Sequence, residues 1–117
     1  MDTWHHVHAP DGRSLLERMR FARSLASRTR GLLGRRSLPA GEGLAFREKS
    51  IHMFFMRMPL DIVFCDRELR VLKVVPELRP WKMAGCAGAH YVLEIGPGEA
   101  EHLGIAVGDR LTAEPPF

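Results

Sequence analysis

Met53-Phe54-Phe55-Met56, Ile62-Val63-Phe64 and Val71-Leu72-Lys73-Val74-Val75 are apolar runs within residues 50–75, each bounded by turn-forming or charged residues. Runs of that length, rich in β-branched and aromatic side chains, predict strands. Asp66-Arg67-Glu68 predicts the hairpin turn between the last two. Pro59 cannot donate to a ladder, so it belongs at the bend where the strand of Met53 hands over to that of Ile62. Outward from this centre, His90 to Ile95 reads as a strand, and Gly43-Leu44-Ala45-Phe46 as a short strand entering the core. Leu15, Leu16, Met19 and Phe21 supply the apolar positions of a first strand. Val107-Gly108-Asp109 turns into a last one. Pro97 to Leu103 reads as a turn or a single helical turn with Glu99 and Glu101 near its start. Ser24 opens a helical pattern in which Phe21, Leu25, Leu32 and Ala22, Ala26, Leu33 share a stripe, with Gly34 as its stop. Pro76 to Ala89 shows no period and predicts a long surface loop.

The expected architecture is mainly β (α+β): a small β-barrel-like single domain of six or seven short strands with one short helix near the N-terminus. Residues 13–117 form that domain, and residues 1–12 form a flexible N-terminal tail on which His5, His6 and His8 are incidental. With 117 residues, 45% hydrophobic and 26% charged, the chain has the composition of one globular domain, which excludes disordered and fibrous classes. The apolar runs are broken by Arg57, Asp61 and Asp66, so no membrane span and no membrane partner are expected. Met1 to Asp11 lacks the pattern of a secretory signal, and the expected location is cytoplasmic. Two cysteines, Cys65 and Cys86, cannot build a disulfide framework or a four-cysteine zinc site, and no cofactor or metal is expected. Cys65 reads as a small buried hydrophobe and Cys86 as an inert loop thiol.

Charge is unevenly spread. Residues 1–58 hold eleven Lys or Arg against five acids, a balance of +6, and residues 59–117 hold six against nine, a balance of −3. Arg18 to Arg36 contains seven arginines and no acid. Such a stripe is either a solvated face or a contact for phosphates.

Asp61 departs most from a plain strand, since it stands between Leu60 and Ile62-Val63-Phe64. A carboxylate withdrawn from water needs a partner. Arg57, four residues earlier and beyond the Pro59 bend, offers a two-pronged guanidinium, and the first expectation is a structural Arg57–Asp61 ion pair that pins the bend. The functional alternative is a pocket of His52, Arg57, Asp61 and His90 roofed by Trp81. Gly96-Pro97-Gly98 begins like a phosphate loop, but Glu99 and Glu101 would repel an anion, so it reads as a turn.

Taken together, Arg28-Thr29-Arg30-Gly31-Leu32-Leu33-Gly34-Arg35, Gly43 to Phe46, Ser50 to Phe64, His90-Tyr91-Val92-Leu93-Glu94 and Gly108-Asp109 resemble the bacterial and archaeal domain-of-unknown-function family 192, in the family's order from about Leu15 to Leu111. The resemblance implies a compact β-rich single domain of uncharacterised function and supplies no catalytic residue. The family's usual motif is aromatic-Met-Lys-Asn before Pro-Leu-Asp; His52-Met53 and Met56-Arg57-Met58 are a histidine and arginine variant of it. Ala100 to Leu111 also resembles the helix-turn, Gly-Asp, strand segment of double-psi β-barrels.

The leading functional expectation is a non-catalytic binding or accessory module for a small-molecule or protein ligand. One alternative is a hydrolase- or lyase-type enzyme with His52 or His90 as base and Arg57 as anion stabiliser. The other is nucleic-acid association through Arg18 to Arg36.

Overall fold

Burial on both faces explains why residues 60–65 read as one continuous apolar run. In the computed structural model, which describes residues 2–24 and 32–117, this strand is flanked by two hydrophobic clusters. Val63 and Cys65 face the first, with Leu16, Met19, Phe21, Leu93 and Leu111. Leu60, Ile62 and Phe64 face the second, with Leu44, Phe46, Met53 and Val92. In chain order the elements are β1 (Thr3–His8), β2 (Ser14–Phe21), β3 (Glu42–Arg47), β4 (Ser50–His52), β5 (Leu60–Cys65), β6 (Val71–Leu78), β7 (Met83–Gly85), β8 (Tyr91–Ile95), α1 (Glu99–Leu103) and β9 (Thr112–Glu114). Seven strands form one sheet in the order β6-β5-β8-β3-β2-β1-β9, and β4 pairs with β7 in a separate two-stranded sheet.

The mainly β reading holds, but the sheet is not a closed barrel. Its edges, β6 and β9, approach each other only through the turn before β9, where Val71 N–H donates to Asp109 O at 2.8 Å and Leu111 N–H to Leu69 O at 3.0 Å, with a bridge between Arg70 and Arg110. β9 then pairs with β1 and runs into Pro115-Pro116, which have no N–H to extend a ladder. The helix expected between Ser24 and Gly34 falls mainly on residues 25–31, outside the described residues. The helix that lies wholly within them is near the C-terminus instead, at Glu99–Leu103.

Two further expectations are corrected. Residues 3–8 are not a tail but β1, held between β2 and β9. Its anchor is His5, 3% exposed, which packs edge-on against Phe21 and Phe117. His5 accepts from the Thr3 hydroxyl at Nε2, at 2.5 Å, and donates from Nδ1 to the Pro115 carbonyl. The long loop over residues 76–89 is also divided, because β6 continues to Leu78 and Met83–Gly85 forms β7. The hairpin at Asp66 forms as expected, its carboxylate accepting from Glu68 N–H and Arg70 N–H, both at 2.9 Å.

Gly43 sits in β3 where β2 and β8 close in from either side. A Cβ there would lie 2.5 Å from Met19 Sδ and 2.7 Å from the Glu94 carbonyl oxygen. The backbone oxygen cannot swing aside as a side chain would. Gly43→Ala is therefore expected to destabilise the domain by about 3 kcal/mol in urea unfolding; a loss within experimental error would mean that the sheet opens at β3 without strain.

Candidate functional site

Asp61 lies on β5 opposite Ile95 and is 0% exposed. Its Oδ1 accepts from Glu77 N–H at 2.8 Å and from Gly98 N–H at 3.1 Å, and its Oδ2 accepts from Ala100 N–H at 2.9 Å. The expected ion pair with Arg57 is not formed, and Arg57 is exposed. Burying a guanidinium beside the carboxylate would desolvate a second charge, whereas these amide donors need acceptors wherever the chain runs. Gly98, in left-handed backbone at φ 83, has no side chain with which to cap α1. Asp61 supplies that cap from the neighbouring strand.

His52, Arg57 and Trp81 belong to a different feature. β4 ends at His52, paired with Met83 of β7, and Met53 ties the two following loops together. Its N–H donates to Lys82 O at 2.8 Å, its carbonyl accepts from Trp81 N–H at 2.8 Å, and its side chain is fully buried. Met53 to Met56 is therefore a turn rather than the expected strand. Phe55 and Trp81 both take left-handed backbone, at φ 65 and 71. Their rings stand out into solvent, 68% and 58% exposed, beside Met83 at 67%. The rings assemble with one another: His52 stacks on Phe54 (centroids 4.4 Å, planes at 26°), Phe54 on Trp81 (5.8 Å, 29°), and Phe55 meets Trp81 at 60° and 4.8 Å.

The two loops that carry this aromatic knob are basic in sequence. No acid occurs between Glu48 and Asp61 or between Glu77 and Glu94, while Lys49, Arg57, Arg79 and Lys82 do. Arg57 follows Phe55 by two residues, Arg79 precedes Trp81 by two, and Lys82 separates Trp81 from Met83. Phe54, Phe55, Arg79, Lys82 and Met83 were not legible as a site. The available signal was the Phe54-Phe55 doublet, because neighbouring residues on a strand point to opposite faces.

His90 stands apart from the knob. It lines a cleft with Lys49, Asp66, Arg67 and Glu68, at the far end of β4 from His52, roughly 10 Å of extended chain away. Partial burial, followed by the Arg67 and Arg47 guanidinium groups, holds His90 below its ordinary 6.5. Burial first, then the Asp66 carboxylate and Cys86, pushes the Cys65 thiol up to about 12, which leaves it inert. Cys86 Sγ donates to the Ala87 carbonyl at 3.5 Å, with no base among its hydrogen-bond partners. A cleft of about 560 Å³ opens beside Asp61, lined by Met58, Pro59, Gly98, Glu99 and His102, but Gly98 screens the carboxylate from it.

Part of the basic stripe has partners at the surface of the fold. Arg20 pairs with Asp2 at 2.5 Å and Arg35 with Glu42 at 2.9 Å, while Arg18 lies over Trp4 and Arg23 over Phe21. Arg28 and Arg30 lie outside the described residues. Among the described residues, no three His, Cys, Asp or Glu side chains are grouped as metal ligands, and no helix is long and apolar enough to cross a membrane.

A family model described as Uncharacterized ACR, DUF192, matches residues 7–113. The chain belongs to this family. Among its relatives, a UPF0127 protein of Pyrococcus furiosus is 30% identical over 108 residues, covering 86% of this chain and 90% of that protein. A UPF0127 protein of Thermococcus sibiricus is 35% identical over 66 residues, covering 56% of this chain and 42% of the relative. For two other Pyrococcus relatives, the aligned part spans about half of their length. The crystal structure of a protein of unknown function from Novosphingobium aromaticivorans matches with TM-score 0.78 and 30% identity, covering 94% of this chain and 84% of that one. A Sinorhizobium meliloti structure, provisionally labelled a transcription regulator, matches with TM-score 0.82 over 97% and 95% of the two chains; at 24% identity it shows the fold alone.

In this DUF192 domain Asp61→Asn keeps the shape but turns an amide N–H₂ toward amide donors. A loss of about 2–4 kcal/mol in urea unfolding is expected, with α1 the first segment to lose amide protection. Retained stability would show that the three donors find water instead.

His90 has a folded pKa below its unfolded one, so unfolding takes up a proton. Its contribution to stability therefore falls as pH drops from about 6.5 through the folded value. In an NMR titration Arg67→Gln should raise the His90 midpoint toward 6.5; an unmoved midpoint would leave burial and the Arg47 guanidinium as the causes.

Proposed function

We propose that this domain is a non-catalytic binding module whose contact surface is the knob of His52, Phe54, Phe55 and Trp81, with Arg57, Arg79 and Lys82 selecting an anionic partner. One observation carries the reading: Phe55 and Trp81, each in left-handed backbone, hold large rings out in water, in two loops whose sequence carries cations and no acid. Covering such a ring contributes about 1.5–3 kcal/mol, and exposed apolar clusters of this kind mark contact sites. Of the five residues expected at the site, His52, Arg57 and Trp81 support this reading, Asp61 acts as an internal cap, and His90 serves another cleft.

The hydrolase or lyase alternative needs His52 or His90 as a base beside Arg57; His90 lines another cleft, and His52 is engaged with Phe54, stacking on its ring and accepting from its N–H at 3.4 Å, which favours binding instead. For nucleic-acid association through Arg18 to Arg36, the pairing of Arg20 with Asp2 and of Arg35 with Glu42 leaves less free positive charge in the stripe. Two unpaired thiols, Cys65 and Cys86, suit a reducing cytoplasmic setting as part of the same proposal.

In a Trp4→Phe background Trp81 is the only tryptophan and reports directly on the knob. Titration with polyanionic probes (heparin, oligonucleotides, anionic vesicles) should shift its emission with at least one class. Phe55→Ala should weaken that binding about tenfold while leaving the unfolding midpoint unchanged. Binding that shifts NMR resonances only around Gly98 and His102, indifferent to Phe55→Ala, would transfer the site to the cleft beside Asp61.

A further inference from the structure

The knob's ring geometry narrows the partner, on the premise that the knob is the contact surface. Recognition of single-stranded nucleic acid relies on open ring faces that accept a base. Here the stacking of Phe54 on His52 and on Trp81, at 26° and 29°, and the edge contact of Phe55 with Trp81 already take up part of the ring faces. What remains is a projecting apolar tip made of Phe55, Trp81 and Met83, each more than half exposed.

Every ring of that tip has a cation within two residues in sequence, and both loops lack acids. Tryptophan prefers the headgroup level of a bilayer, and the stems of Lys and Arg lie along apolar surface while their charges reach anionic headgroups. From ring packing, projection and charge, we propose that the knob docks this domain on the surface of an anionic lipid bilayer, with Phe55, Trp81 and Met83 entering the interface and Arg57, Arg79 and Lys82 contacting headgroups. The absence of an expected membrane partner rested on the lack of a spanning segment, and peripheral docking needs none.

Vesicle flotation with phosphatidylcholine alone and with added phosphatidylglycerol tests this on the whole chain. Wild type should partition onto the anionic vesicles alone, with a blue shift of Trp81 emission in the Trp4→Phe background and release by salt. Phe55→Ala with Trp81→Ala should reduce partition about tenfold or more, and Arg57→Gln with Arg79→Gln and Lys82→Gln by a similar factor. All these positions are exposed, so an unchanged circular dichroism melt is expected for each variant. No partition, or partition equal in the ring variant, overturns the lipid proposal. Knob-dependent binding of a single-stranded oligonucleotide in place of vesicles, or a knob-dependent dimer in light scattering, overturns it too but leaves the binding-module reading standing. A ring variant indistinguishable from wild type in all three assays removes both.

Discussion

Three backbone amides converge on one buried carboxylate, and the path of the chain around β5 depends on that convergence. β5 is covered on both faces, so a charge there persists only if its oxygens are fully served. The donors come from two distant places. Glu77 belongs to the bulged end of β6, itself in left-handed backbone at φ 47; Gly98 and Ala100 open α1 after β8. A mobile cation would tolerate many chain paths, but amide donors are fixed by the backbone. Asp61 thus specifies where β6 ends and where α1 begins. It also explains why Gly96-Pro97-Gly98 is no phosphate loop: the anion its amides serve is already part of the protein.

Much of this was legible in the sequence, for identifiable reasons. β3, β5, β6 and β8 are buried enough on one or both faces to leave continuous or alternating apolar runs. Asp61 was conspicuous as a charge inside such a run, but its partner was misread. A sequence displays side chains and hides which amides lack acceptors, so Arg57 was the visible candidate. β1 was missed because Trp4, His5, His6 and His8 look polar or irregular. His5 becomes a core residue through distant partners, among them the Pro115 carbonyl 110 positions away and the Phe117 ring. The barrel expectation failed at a single edge, where β9 is three residues long and ends in prolines.

The candidate site was half legible. His52 and Trp81 were singled out as residue types, yet their meeting depends on Met53, whose N–H and carbonyl both bind the loop of Lys82 and Trp81. Contacts between separate loops leave no period in the sequence. The basic stripe illustrates the converse: seven arginines over residues 18–36 with no acid among them suggested a contact surface, and the fold gives several of them partners in Asp2, Glu42, Trp4 and Phe21.

Backbone strain separates the knob from the rest of the molecule. Among the described residues, the non-glycine residues with positive φ are Phe55, Leu69, Glu77 and Trp81. Leu69 is buried where the Asp66 turn closes, and Glu77 aims its amide at Asp61, so folding itself accounts for both. Phe55 and Trp81 obtain no burial from theirs, although such conformations cost of order 1–3 kcal/mol each. Met53, sealed in the core and bonded at both backbone atoms, ties the two loops together at the base of the rings. A contact surface built this way loses little conformational freedom on association, which is the condition under which a small apolar tip and a few cations suffice.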